Sequence, residues 1–68
     1  MNPQALKVRM TEMSVTQANM ADRIGLSLSR FNAKVHGWRG TEFTLQEIQK
    51  MKMILDLDAD LTDQIFFT

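Results

Sequence analysis

The residue types that carry covalent or metal chemistry are scarce in this chain. It contains no cysteine and a single histidine, His36, which excludes a thiol nucleophile and a multi-histidine metal site. No glycine-rich phosphate loop is present, and no histidine stands at a suggestive spacing from a carboxylate. The sequence therefore predicts a protein that is not an enzyme and that has no cofactor and no small-molecule substrate.

Aspartates near the end of the chain raise the question of a calcium site. A calcium loop needs a glycine at its sharp turn and a closing glutamate, and this segment has neither. We therefore expect no bound metal and interpret these residues as solvated caps, with a turn at residues 58–60. The aspartates are Asp56, Asp58, Asp60 and Asp63.

A row of small and polar side chains around residue 30 has the chemistry to read DNA. Phe31 and Val35 lie four residues apart, which places them together on the face of a helix that anchors on the core. The opposite face can then enter a DNA major groove, which is about 12 Å wide. The outward residues are Ser29, Arg30, Asn32, Ala33 and His36. The alternative for this segment is an ordinary helical hairpin with a glycine loop.

Short helices must position this row, and the first is predicted at the N-terminus. Asn2 can cap free amides and Pro3 suits a first helical position. The chain breaks at Ser14 and Val15. The apolar positions on the inner face of this helix are Leu6, Met10 and Met13.

The second and third helices are predicted on either side of a glycine turn. Thr16 can cap the second helix, and Gly25 ends it where a left-handed residue is needed. Ser27 can cap a third helix that runs to about Val35. The inner residues of the second helix are Ala18, Met20, Ala21 and Ile24. Ala21 must be small because the third helix crosses close to it.

The fourth helix has the strongest local signal. Thr44 and Glu47 have the spacing of a capping box, and Phe43 and Ile48 have that of a hydrophobic staple. We expect this helix to run to about Leu55. Its inner residues are Ile48, Met51 and Leu55.

A last short helix is predicted at the C-terminus, capped by Thr62. It carries Ile65, Phe66 and Phe67, and the two phenylalanines should cover the core or a dimer partner. No segment alternates at period two, so no strand is expected. The prediction is an all-α fold, a compact bundle of about five helices that forms a single domain over residues 1–68 and contains a helix-turn-helix.

The bulk composition favours a globular protein outside membranes. Of its residues, 44% are hydrophobic, yet no apolar run approaches the ~18 residues of a membrane span, and the N-terminus lacks the pattern of a signal peptide. These features favour a cytoplasmic location. The net charge is zero, but residues 1–40 hold six basic and two acidic side chains, and residues 41–68 hold two basic and six acidic ones. Such a polarised domain can turn one basic face to phosphate.

The tryptophan and the methionines are interpreted mainly as structural residues and not as ligand contacts. A lone tryptophan after a glycine is more often a partly buried loop anchor than a ligand contact, and we expect this of Trp38. The methionines are interpreted mostly as core filler, although methionine also suits adaptable contact surfaces. They are Met10, Met13, Met20, Met51 and Met53.

The stretch "TQANMADRIGLSLSRFNAKVHG" resembles the helix-turn-helix of the lambda-repressor/Cro superfamily, also called the XRE family. The resemblance covers roughly Leu6 to Leu57, and "FNAKVHGWRGTEFTLQEIQKMKMILDL" with the "IFF" ending is similar to small regulators of temperate phages and prophages in Gram-positive bacteria. It implies a bundle of about five helices that binds operator DNA in the cytoplasm of a bacterial host, commonly as a homodimer on a palindrome.

The resemblance also implies roles for individual residues. Gln17 would contact a phosphate, and the loop after the third helix would touch the backbone. Arg can bind guanine or phosphate, Asn can pair with adenine, and Ala33 could meet only a thymine methyl. The residues that open and continue the reading helix are Ser27, Leu28, Ser29, Arg30, Asn32 and Ala33, and those of the loop region are His36, Trp38 and Arg39.

Two positions depart from the family pattern. Leu28 and Ala33 stand where many relatives place long polar readers, so direct readout would be thin and a monomer would bind with modest affinity. This leaves an alternative function. Some phage proteins with this domain are antirepressors that bind a partner repressor through the helix-turn-helix surface and block its DNA binding, and an exposed Leu28 would suit such a hetero-complex.

Overall fold

Five α-helices and one short 3-10 turn make up the structure, a computed structural model that describes all 68 residues. The helices are α1 (Pro3–Glu12), α2 (Gln17–Arg23), α3 (Leu28–His36), α4 (Leu45–Ile54) and α5 (Ala59–Phe66), and the 3-10 turn is Trp38–Gly40. No strand is present, which confirms the predicted all-helical bundle. The molecule measures 27 × 23 × 21 Å. No helix has both the length and the hydropathy that crossing a bilayer requires.

Side-chain caps define where the helices begin. Oxygens of Asn2, Thr16 and Ser27 each accept a hydrogen bond from the amide three residues later, at 3.1 Å in all three cases. The predicted capping box of α4 is present, because the Thr44 hydroxyl accepts from the Glu47 amide and a Glu47 carboxylate oxygen accepts from the Thr44 amide. The starts of the first four helices therefore follow the sequence signals.

The start of α5 differs from the prediction. Asp58, not Thr62, is its N-cap, and the Asp58 carboxylate accepts from the Leu61 amide at 2.8 Å. Thr62 lies inside the helix, buried, with its hydroxyl donating to the Asp58 carbonyl. Aspartate is as good an N-cap as threonine, so the earlier candidate starts the helix. As a consequence Asp60 lies in the first helical turn and not in a loop.

One cluster of apolar side chains forms the core and draws on every α-helix. Partly buried side chains, among them Phe43 and Ile48 of the predicted staple, pack against it. The buried apolar residues are Leu6, Met10, Met20, Ala21, Ile24, Phe31, Val35, Met51, Leu55, Leu57, Ile65 and Phe66.

Three apolar residues predicted to face inward, Ala18, Met13 and Met53, are exposed instead, and of the two phenylalanines predicted to cover the core or a dimer partner Phe67 is exposed. Met13 and Phe67 are the C-cap residues of α1 and α5, beyond the last helical turn, so the periodicity of the helix does not place them. Ala18 and Met53 each lie two residues from a buried methionine, about 200° around the helix axis, and therefore face solvent.

A chain of aromatic rings fixes α3 on the bundle. The ring of Phe31 lies 5.7 Å from that of Phe43, which in turn meets Phe66 of α5 edge-on at 6.3 Å. Tilted and edge-on rings at these distances attract each other beyond the area they bury. The three rings therefore hold the inner face of α3 against α5.

The ends of α1 are tied to distant elements. The Asn2 amide donates to the Ile65 carbonyl at 2.7 Å, which joins the start of α1 to α5. Arg9 donates from Nε to the Leu55 carbonyl at 2.9 Å and from a terminal nitrogen to the Asp56 carbonyl at 3.1 Å. Arg9 thus satisfies carbonyls at the C-terminus of α4, where a cation is favourable.

Candidate nucleic-acid interface

The orientation of α3 decides which of its residues are available. Phe31 and Val35 face the core, with 1% and 4% of their surfaces exposed, as their spacing predicted. Ser27, Leu28, Ser29 and Arg30 are exposed at the start of the helix. A small and polar N-terminal surface of α3 is therefore open to a partner.

The middle of the predicted row is less open. Asn32 and Ala33 are half-buried, whereas they were expected to stand free. The loop that follows returns to this part of α3, since the Thr41 hydroxyl donates to the Ala33 carbonyl at 3.0 Å. Gln17, the first residue of α2, is also half-buried.

The remaining candidates form a second exposed group at the other end of α3. His36 is the last residue of the helix, and Trp38 and Arg39 follow in the 3-10 turn, all three exposed. A helix rises about 1.5 Å per residue, so roughly 12 Å of α3 separates this group from the exposed residues at the start of the helix. The structure thus presents two clusters of candidate residues joined by one helix.

Trp38 is not the partly buried loop anchor that the sequence suggested. It is 57% exposed, and its ring stacks on that of His36 with a centroid distance of 5.1 Å and an interplanar angle of 22°. The left-handed backbone of Gly37 (φ +67°) turns the chain at the end of α3. The aromatic residue of this region that packs against the core is Phe43, not Trp38.

The backbone beside Trp38 is strained at a residue that is not glycine. Arg39 has φ +58° and ψ +27°, a left-handed conformation that a side chain disfavours by about 1–2 kcal/mol. Hydrogen bonds close the turn around it, from the Gly40 amide to the Gly37 carbonyl and from the Thr41 amide to the Trp38 carbonyl. No local pattern predicts this conformation, because arginine rarely adopts it.

A partly buried ion pair links α3 to α4. Nζ of Lys34 lies 2.7 Å from a carboxylate oxygen of Glu47, and both side chains are nearly buried. Burial alone would raise the pKa of Glu47. The hydrogen bonds that its carboxylate accepts from Lys34 and Thr44, and the charge of Lys34, outweigh this effect and hold the pKa of Glu47 below its ordinary value. The positive charge of Lys34 is therefore already paired within the protein.

All charged side chains in the segment that contains α3, residues 23–41, are basic. No aspartate or glutamate occurs between Asp22 and Glu42. The same stretch holds the basic residues Arg23, Arg30, Lys34 and Arg39, together with His36. The charge balance of residues 1–40 does not show this basic segment, because it includes Glu12 and Asp22. The gap between Asp22 and Glu42 does show it. A segment of this kind suits a polyanion such as DNA.

Comparisons of the chain with protein-family models, with curated proteins and with solved structures find no match. The function is therefore inferred from the geometry of α2, α3 and the turn after α3.

Proposed function

We propose that the protein is a sequence-specific DNA-binding transcription regulator, similar to the Cro-like regulators of the lysis–lysogeny switch in temperate phages, and that it acts in the cytoplasm of a bacterial host. The observation that carries the proposal is the rotation of α3. Its apolar side is buried through Phe31 and Val35, and its exposed start lies within a segment that has no acidic residue.

The connection between α2 and α3 supports the same proposal. Four residues, Ile24 to Ser27, separate the helices, and Gly25 has φ +82°. Ala21 is buried where the two helices pack together. A short turn with a left-handed glycine between two packed helices is the arrangement with which helix-turn-helix proteins bring a second helix to the major groove.

In the proposed complex the two exposed clusters have different tasks. Ser29 and Arg30 meet base edges or the phosphates beside them, and Arg39 meets the backbone at the far end of α3. The half-buried Asn32 and Ala33 add little direct readout. One copy therefore binds DNA with modest affinity. A homodimer on a palindromic operator binds more tightly and occupies the site fully. Regulation follows from occlusion of a promoter and involves no catalysis, cofactor or membrane.

The test starts with selection of a duplex from a random DNA pool by the purified protein. Arg30→Ala should then weaken binding to the selected duplex and make its salt dependence shallower by about one unit of log–log slope, because one phosphate contact and its released counterions are lost. Lys50→Ala is the matched control, since it removes an exposed cation from α4. A pool that never enriches would refute the function, and unchanged binding by Arg30→Ala at several salt concentrations would refute the role of Arg30.

The exposure of Leu28 favours one alternative function. This side chain is 45% exposed at the start of α3, where a polar reader would be expected in a DNA-binding protein. The alternative is an antirepressor whose helix-turn-helix surface binds a partner repressor. A gel shift with the protein alone, and then with the repressor encoded beside it, separates the two functions. Loss of the repressor's own shift on addition of this protein would favour the antirepressor.

A further inference from the structure

The exposed stack of Trp38 on His36 is a feature that packing does not explain. Trp38 is the only tryptophan in the chain, and the side chains that pack against the core do not include it. Burial of an indole is among the most stabilising hydrophobic contributions that a side chain can make, so an exposed tryptophan indicates a site of interaction.

The geometry of the stack leaves one ring surface available. The His36 ring lies nearly parallel to the indole at a centroid distance of 5.1 Å, so it covers one face. Because 57% of Trp38 is nonetheless exposed, the opposite face is open to solvent. A flat aromatic group can stack there and extend the pair to three rings.

The turn fixes the backbone of Trp38, and the His36 ring orders its indole, before any ligand arrives. The Thr41 amide donates to the Trp38 carbonyl at 3.1 Å, and the Thr41 hydroxyl lies within hydrogen-bond distance of the carbonyls of both Trp38 and Ala33. The backbone of Trp38 is thus fixed to the last turns of α3. A side chain that is already ordered loses little conformational entropy when it binds.

The charge around the stack indicates which flat group it takes. Arg39 adjoins Trp38, Glu42 is the one acidic residue close to it in the chain, and on the N-terminal side no acidic residue occurs before Asp22 is reached. An apolar protein surface would leave this basic segment unpaired, whereas a nucleobase carries a phosphate with it. We propose that Trp38 stacks on a nucleobase at the edge of the DNA site, an inference that rests on the proposed DNA-binding function.

The position of Trp38 relative to α3 specifies where on the DNA this occurs. In the proposed complex the start of α3 enters the groove, and about 12 Å of helix separates it from the end that carries Trp38, so Trp38 meets the DNA at the edge of the site. There the free face of the indole stacks on a base that is exposed at a partly opened step. Pyrimidine–purine steps open most readily, and the selected duplexes should carry one at this position.

The lone tryptophan makes the stacking directly observable. Its emission is recorded while a short selected duplex is added, and the anisotropy of a dye on the duplex reports binding of any kind in the same titration. Stacking quenches the indole emission in parallel with the rise in anisotropy. In a Trp38→Phe, Met53→Trp variant the only indole lies on the exposed face of α4, and its emission should not change when the DNA binds.

Substitutions measure what the stack contributes. Trp38→Leu keeps an apolar side chain but removes the π-face, and it should weaken binding about tenfold, whereas Trp38→Phe should stay within about threefold of the original protein. Met53→Ala is the matched control for losing an exposed apolar side chain and should bind unchanged. Far-UV circular dichroism checks that each variant is folded.

The outcomes separate this proposal from the proposed function. Binding without quenching, or a Trp38→Leu variant that binds as well as the original, overturns base stacking and leaves DNA binding intact. A Trp38→Leu variant that keeps its DNA affinity but no longer binds the neighbouring repressor assigns the indole to a protein contact instead. Absence of any rise in anisotropy overturns both proposals.

Discussion

The pair of Lys34 and Glu47 offers a sharp test of how α3 is held. Glu47→Gln keeps an oxygen that can accept from the Thr44 amide, but it removes the charge that Lys34 faces at 2.7 Å. Both side chains are nearly buried, so Lys34 cannot recover full hydration in place. A hydrogen bond to a charged group contributes about 1.5–3 kcal/mol, and part of it survives with glutamine, so we expect a loss of about 1–2 kcal/mol in the free energy of unfolding.

The assay is urea unfolding followed by far-UV circular dichroism, because the exposed Trp38 reports packing poorly. In a domain of this size 1 kcal/mol corresponds to about 4–8 °C in Tm, so thermal melts should show the same loss. Glu42→Gln is the control, since it removes an exposed carboxylate nearby on the chain. The stability of Glu42→Gln should stay within about 0.5 kcal/mol of the original.

The pH dependence provides an independent check of the same pair. Folding lowers the pKa of Glu47, so its stabilising contribution is present above the pKa of the unfolded chain. This contribution is lost as the pH falls through the lower pKa of the folded protein. The acid-side loss of stability should therefore be shallower in Glu47→Gln than in the original protein. An unchanged acid-side profile, or a Glu42→Gln variant that loses as much stability as Glu47→Gln, would refute the reasoning.

Two further substitutions test other parts of the structure. Arg9→Met should lower the free energy of unfolding by about 1–2 kcal/mol, because the carbonyls of Leu55 and Asp56 lose a charged donor. Urea unfolding measures this loss, and an equal loss in the exposed control Arg23→Met would contradict it. Arg39→Gly should raise stability by about 0.5 kcal/mol, since relief of the left-handed strain exceeds the added freedom of glycine in the unfolded chain. Its DNA affinity should fall in the anisotropy titration, and a less stable Arg39→Gly protein would argue against strain at this position.

Local signals in the sequence predicted most of the fold. Caps such as Ser27 and Thr44 act on amides three residues away, so the sequence alone contains both partners of the interaction. The prediction was wrong where two caps competed, at Asp58 and Thr62, and where apolar residues lay just beyond a helix end. In those places the rest of the bundle decides the outcome, and periodicity carries no information.

The candidate site could be predicted only in part. The spacing of Phe31 and Val35 was enough to orient α3, because both face the same core. The pairing of Lys34 with Glu47 joins residues thirteen apart and depends on how α3 and α4 pack, which no local pattern encodes. Trp38 lies in a turn that contains a left-handed arginine, a conformation that local sequence preferences disfavour.

Because Glu47 pairs the charge of Lys34, the salt dependence of DNA affinity can report how many chains bind one operator. With Lys34 engaged by Glu47, the acid-free segment around α3 offers three free cations, those of Arg23, Arg30 and Arg39. Each phosphate contact contributes about 0.9 to the slope of log affinity against log salt, so this segment of one chain accounts for at most about 2.7. A slope near 5 that stays unchanged when the other exposed lysines, Lys7, Lys50 and Lys52, are replaced by alanine would mean that two chains lie on each operator.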